Sequence, residues 1–388
     1  MYPMDKKKII WPCVAFLGLL GGILGQRYLV QERTEAVAEA AAPEIKLATD
    51  AFSVRFFQHC LKEKETGNIL VAPHVISDTL LTLQEISGGK TLEELKTLQL
   101  KEQQILRGSE LPRVSLLGMD FNLPRGNSRS AAMPLPFSED IPKALALYNG
   151  MLATAIGEND YQLVDSKIVS SRTKLIAGCS TTFRQEWEIP FNVANSRSAD
   201  FDNASGGMPH FRQMRSKGLY RLAKGENWKA VALPFKSAHA GAPALVYIGI
   251  LPSGTARDFA SALTPEFLTE IRAALAEAKP QETLVELPRM ELQVLPYDMR
   301  DSLRKLGLKA LFDSNTSDFT PLTPEKIHLG AFIHSCTLSL AESKDAPKAD
   351  DALDYAPEYI SFSRPYIWLI ADLATDTPIE FIGLVEEM

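Results

Sequence analysis

The chain has 388 residues, 45% of them hydrophobic and 23% charged, values of a folding globular chain rather than a disordered one. That length accommodates two average domains or one large one. A net charge of −7, with no basic stripe interleaved with aromatic residues, excludes a nucleic-acid groove.

The first element is an apolar run. Lys6, Lys7 and Lys8 precede IIWPCVAFLGLLGGILG, residues 9–25, which carries no charge and leads into the polar, Ala/Glu-rich QRYLVQERTEAVAEAAAPEIK. A basic flank before such a run fits a signal peptide or a short signal-anchor, with the lysines left on the cytoplasmic side. The alternative is a buried core helix. On the first reading residues 26–47 are a tether and the body of the protein is exported.

Ordered patterning begins near residue 49. Phe52, Phe56, Phe57, Cys60 and Leu61 recur at helical spacing behind Asp50, which is expected as the N-cap. The short strand ILVA, residues 69–72, follows, then a helix opened by Pro73 and closed at Gly88 and Gly89. Thr91 and Glu94 have capping-box spacing for TLEELKTL. Residues 123–140, rich in Pro and Ser, read as loop.

The segments KLIAGCSTTF, AVALPF and LVYIGILP read as strands, and ETLVELPRMELQVLP as one further strand-like stretch. YDMRDSLRKLGL is an amphipathic helix ended by Gly307; HSCTLSLA is a strand, and YIWLIADL and IEFIGLVEE form a hairpin across TDTP. No solenoid repeat is present. Strands scattered among helices, with no internal linker, indicate a single α+β domain over residues 48–388.

Enzyme signatures with a mechanism behind their spacing are absent: no G-x-S-x-G, P-loop, G-x-G-x-x-G, H-E-x-x-H or C-x-x-C. The six histidines are scattered, and the adjacent His59 and Cys60 diverge on a helix, so neither forms a metal pair. Cys13 lies in the export segment. Cys60, Cys179 and Cys336 then allow one internal disulfide at most, so stability rests on the core.

The serial order of motifs resembles the serpin family over residues 48–388. GNILVAPHVISDTL is similar to its helix A to helix B passage, GGKTLEEL to its G-x-T-x-x-E-L, and STTFRQEWEIPF to its strand-into-Trp segment, with Trp187 at the breach. HFRQM with Met214, ALPF, VYIGILP, VELPRMEL, LRKLGLKALFDSNTSDFT, FSRPYIWLI and FIGLV follow in family order. Residues 103–170 match least, with YNGML where the family has a tryptophan-bearing helix. The resemblance is to an exported, bacterial-type member. It implies helices packed around a large mixed sheet, with residues 341–361 as an exposed reactive-centre loop.

It also implies an activity: inhibition of serine or cysteine proteases by insertion of the cleaved loop into the sheet. The inserting hinge here is Glu342, Ser343, Lys344, Asp345, Ala346 and Pro347. Lys344 stands where the family has glycine. Asp345 stands where a small side chain should be buried, at a cost of several kcal/mol for an unpaired carboxylate, and Pro347 lacks the amide a central strand needs. The four family positions that hold a polar cluster under the sheet are Ala72, Val75, Cys179 and His334 here, which implies an opening region repacked with apolar side chains.

These departures imply that trapping is weak or lost and that a protein-binding or scaffold role remains. The alternative is a working suicide inhibitor cut within residues 350–359, at Asp354 or Glu358 by counting from either end of the loop. Cys179 and Cys336 fall on adjacent strands in the resemblance, either bonded across the sheet or as two free thiols. The implied partners are a protease or another protein, with no cofactor, no metal and no nucleic acid. The domain is expected to be monomeric, touching a membrane only through its N-terminal segment, and not to be an enzyme.

Overall fold

The computed structural model describes residues 48–100, 111–127, 132–158, 161–237, 245–343, 346, 355–374 and 377–388, with side chains from residue 51. All lie in the second of two compact units, Leu47–Met388. The apolar segment 9–25, the tether 26–47 and the loop positions Lys344, Asp345, Pro347 and Asp354 lie outside the described residues.

Strand β4 (Leu175–Phe183) is buried at every position, which alternation alone cannot deliver; it requires cover on both faces. Helix α2 (Pro73–Glu85) packs against one face, and helix α4 (Ile141–Ile156) packs on the same strand. The second contact needs room. A Cβ at Gly178 would meet the Tyr148 hydroxyl at 2.6 Å, so glycine lets α4 settle and Tyr148 donate to Leu116 O at 2.7 Å. Asp140 caps α4, accepting from Lys143 N at 2.9 Å, and Gly157 ends it at φ +74°.

Five strands form this sheet among the described residues: β10 (Met290–Asp298), β11 (Leu329–Leu340), β4, β2 (Arg113–Asp120) and β3 (Met133–Leu135), in that order. The second sheet has nine strands among the described residues. Its path runs β1 (Ile69–Val71), β14 (Ile379–Val385), β13 (Tyr366–Ala371), β8 (Val246–Pro252), β7 (Trp228–Pro234), β6 (His210–Lys224), β9 (Gln281–Pro288) and β12 (Glu358–Ser361), with β5 (Arg197–Asp200) against β6. Helices α1 (Ala48–Glu63), α3 (Gly89–Lys96), α5 (Ala256–Ser261), α6 (Pro265–Glu277) and α7 (Arg300–Lys305) complete an α+β fold.

Several local expectations are corrected. Helix α1 begins at Ala48, so Asp50 lies in its first turn and is not the N-cap. Helix α3 begins at Gly89 with Gly88 as N-cap, and the capping box does not form. Tertiary partners take both its groups: Thr91 Oγ1 accepts from Asp318 N at 2.8 Å and Glu94 Oε2 from Ala310 N at 2.7 Å. The stretch 282–296 is two strands in two sheets, parted after Pro288, and residues 123–140 contain β3. Among the described residues no helix is long and apolar enough to cross a membrane.

Candidate functional site

The parallel strands β4 and β11 form the seam of the five-stranded sheet. They pair directly from Leu329 opposite Leu175 to Leu338 opposite Phe183, with one irregularity near Ala331. No strand lies between them. Alternation sends Cys179, Thr181, His334 and Cys336 to one face and Ser180 and Ser335 to the other.

Both faces are pinned by side chains. Cys179 Sγ lies 3.5 Å from His334 Nδ1. Opposite, Ser180 Oγ and Ser335 Oγ meet at 3.0 Å, and the Tyr161 hydroxyl donates to Ser180 Oγ at 2.6 Å while also contacting Ser335 Oγ. Three hydroxyls thus bridge the seam. Burial drives the His334 imidazole down to about 4, with a hydrogen bond to the Cys179 backbone opposing, so it is neutral at pH 7. Burial pushes the Cys179 thiol up, and Cys336 to about 12; neither is a reactive thiolate.

Removing the Tyr161 hydroxyl should test the outer staple. Tyr161→Phe leaves the ring and the Ser180–Ser335 bond in place, so the expected loss is about 1 kcal/mol in denaturant unfolding. An unchanged midpoint would show that the hydroxyl contributes nothing net.

Beyond Leu340 the chain leaves the seam and is caught at successive positions. Trp187 Nε1 donates to Ala341 O at 3.0 Å. Glu342 accepts from Arg212 Nε at 2.5 Å and Ser196 Oγ at 2.7 Å, with Arg289 Nη1 3.8 Å away. Ser343 N donates to Phe191 O at 2.8 Å, forming a parallel bridge with Asn192, whose side chain reaches Ala346 O. Burial works against the Glu342 charge, but the Arg212 and Ser196 hydrogen bonds outweigh it and hold the carboxyl below the usual carboxylate range.

Trp187 anchors this hinge. It is 3% exposed, stacks on Phe235 at 4.5 Å and meets Phe191 and Tyr247 edge-on at 5.3 and 6.0 Å. At the far end, Tyr355 is 76% exposed, and the chain then enters β12, which pairs in parallel with β9 from Glu358 opposite Thr283. Among the described residues no group of three or more His, Cys, Asp or Glu is placed to hold a metal.

A two-sheet fold with a shut parallel seam, whose exit strand is held outside the sheet by the 187–196 segment, has known counterparts. The structure of uncleaved ovalbumin superposes with a TM-score of 0.77, covering 89% of this chain and all of that one at 16% identity, a likeness of fold. The family model described as Serpin (serine protease inhibitor) matches residues 127–388, more than half the chain. The chain belongs to the serpin family. It is 22% identical to Serpin B5 of Mus musculus over 372 residues, 87% of this chain and 98% of that one. It is 27% identical to a serine proteinase inhibitor of Cavia porcellus over 214 residues, 52% of this chain and 48%, about half, of that relative.

In this serpin the structure brings Ala72, Val75, Cys179 and His334 near one another only in part. Ala72 and Val75 are buried on α2 and its approach, and Cys179 and His334 face each other across the seam. The region is not wholly apolar, contrary to expectation. One turn beyond Val75, the Thr79 hydroxyl lies 2.8 Å from both Val75 O and Ser115 Oγ, so a polar contact is made along the helix.

Cys179 and Cys336 are both free thiols. The register explains it: Cys336 pairs with Thr181, two residues from Cys179, a diagonal of about 8 Å from strand spacing and rise, beyond disulfide reach. Glu358 is not in open loop; it sits in β12, ion-paired to Lys224 at 3.0 Å and to Lys229 at 3.6 Å. A residue held in a ladder is not offered to a protease cleft, so any cleavable stretch ends by Pro357.

Tyr161, Ser180, Ser335, Asn192, Arg212 and Arg289 were not legible as site residues. Their signal exists only once the register is known: CS on β4 and HS on β11 each place a serine on the face opposite the Cys–His pair.

Proposed function

We propose that this serpin-family protein acts by binding a protein partner through its exposed loop, without covalent trapping of a protease and without enzymatic activity of its own. The observation that carries the reading is the hinge: Ala341, Glu342, Ser343 and Ala346 each hydrogen-bond to the 187–196 segment or to Arg212, outside the sheet. Insertion has to break these contacts and the two-sided pinning of the β4–β11 seam. It then has to seat Lys344, Asp345 and Pro347 in a central strand, where a carboxylate and a missing amide each oppose it.

On this reading the domain, residues 48–388, is monomeric and works outside the cytoplasm, behind residues 9–25 as signal peptide or anchor and 26–47 as tether. The test is limited proteolysis of the purified protein between 343 and 357, followed by melting. The nicked protein is expected to melt within about 2 °C of the intact one, since no new strand forms. A rise of tens of degrees would mean the loop enters the sheet.

A second reading has its own observation. Tyr355 is the most exposed large hydrophobic side chain among the described residues, and it precedes the β12 anchor by three positions. It fits a suicide inhibitor of an extracytoplasmic serine or cysteine protease cut within 350–357. A complex with protease that survives boiling in detergent would establish it.

A further inference from the structure

Strand β14 is buried at every position, yet its second residue is Glu380, 2% exposed. The strand breaks its ladder there: Phe381 pairs with Ile370 and Ile379 with Ala371, leaving Glu380 as the extra residue of a bulge. Bulges re-aim side chains. This one sets the carboxylate against two other elements, with Oε2 3.0 Å from His74 Nδ1 on α2 and Oε1 3.0 Å from Arg113 Nη1, the first residue of β2. His74 is itself 2% exposed, and its Nε2 lies 3.5 Å from Asp78 on the next turn. Burial opposes the Glu380 charge, but His74 and Arg113 outweigh it and hold the carboxyl below its usual range.

Arg113 pairs with Thr181, so it belongs to the half of the sheet on the β4 side of the seam. Admitting one more strand widens the sheet by about 4.8 Å. If the β2–β4 half moves by that much while β14 stays, a 3.0 Å ion pair is lost and a fully buried carboxylate is left without its arginine, the costliest way to break such a pair. We propose that the Glu380–Arg113–His74 cluster is a buried ionic anchor that locks the β4 half of the sheet to the second sheet, and that neutralising Glu380 releases the seam to accept a guest strand.

The inference rests on reading the β4–β11 seam as the place a strand would enter. The test uses the full-length chain at neutral pH and a fluorescent acetylated peptide of alternating threonine and alanine, about twelve residues long, free of the hinge's lysine, aspartate and proline. E380Q is expected to take up the peptide at least about tenfold faster than the wild-type chain. Leu268→Ala, a cavity on α6 away from the sheet, should lower the melting temperature without raising uptake, which separates release of a lock from general loosening. If E380Q does not fold, the apolar triple H74L/R113M/E380M replaces it.

Uptake by E380Q or the triple no faster than wild type, or equally fast in Leu268→Ala, overturns the anchor and leaves the shut-seam reading standing. Rapid uptake by the wild-type chain itself overturns both.

Discussion

Trp187→Ala is expected to lower the stability of the domain by about 3–5 kcal/mol, the range for deleting a buried tryptophan from a packed core. The ring fills the space between Phe235, Phe191 and Tyr247, three aromatic contacts that the cavity forfeits together. A second consequence is local. The indole N–H holds Ala341 O, so its loss frees the residue that leads into the hinge, and cleavage between 343 and 357 by a nonspecific protease should accelerate.

Trp187→Phe separates the two effects. It keeps most of the ring contact and loses the hydrogen bond, so about 1 kcal/mol should go while cleavage still accelerates. Unfolding in urea measures the first quantity and the rate of nicking the second. Unchanged nicking in both variants would mean that the contacts of Glu342, Ser343 and Ala346 hold the hinge without the indole.

Acid should weaken the protein through His334. Its folded value of about 4 lies below the ordinary histidine value of 6.5, so between these pH values the unfolded chain binds the proton and the folded one does not. Stability is therefore full above pH 6.5 and falls as pH drops toward 4, by about 3 kcal/mol from this group. Below 4 the term is constant. His59 and His328, also lowered by burial, act in the same direction, and Glu342 and Glu380, held low by their partners, add losses at still lower pH.

The comparison that isolates His334 is wild type against His334→Gln, unfolded in urea at pH 7.5, 6, 5 and 4.5. The difference in unfolding free energy between the two proteins should shrink or reverse by about 2.5 kcal/mol from the highest to the lowest pH. Parallel curves would mean that His334 takes up its proton alike in the folded and unfolded chains and is not held neutral by burial as described.

Much of the fold was legible because the signals are local. Pro73 opening α2, the continuous apolar runs of β8 and β13, and Gly307 ending the chain turn after α7 follow from backbone chemistry and burial pattern at each position. The same holds for the composition of the loop: Lys344, Asp345 and Pro347 oppose entry into a central strand wherever their neighbours stand. The order of motifs carried the family, since it depends on residues and spacing alone.

The site was decided by register and by long-range approach. Thr91 and Glu94 have the spacing of a capping box but serve Asp318 and Ala310 from the other end of the chain. Cys179 and Cys336 lie on neighbouring strands, and a two-residue offset makes them free thiols rather than a disulfide. Glu380, inside an apolar strand, has a meaning only beside His74 and Arg113, some 306 and 267 residues away in the chain. A sequence by itself determines which residues want to be buried, extended or capped, because those preferences are properties of single residues and short periods. Which buried polar group finds which partner is a property of the packed sheets, where a shift of one residue exchanges faces and a bulge turns a carboxylate from one layer toward another.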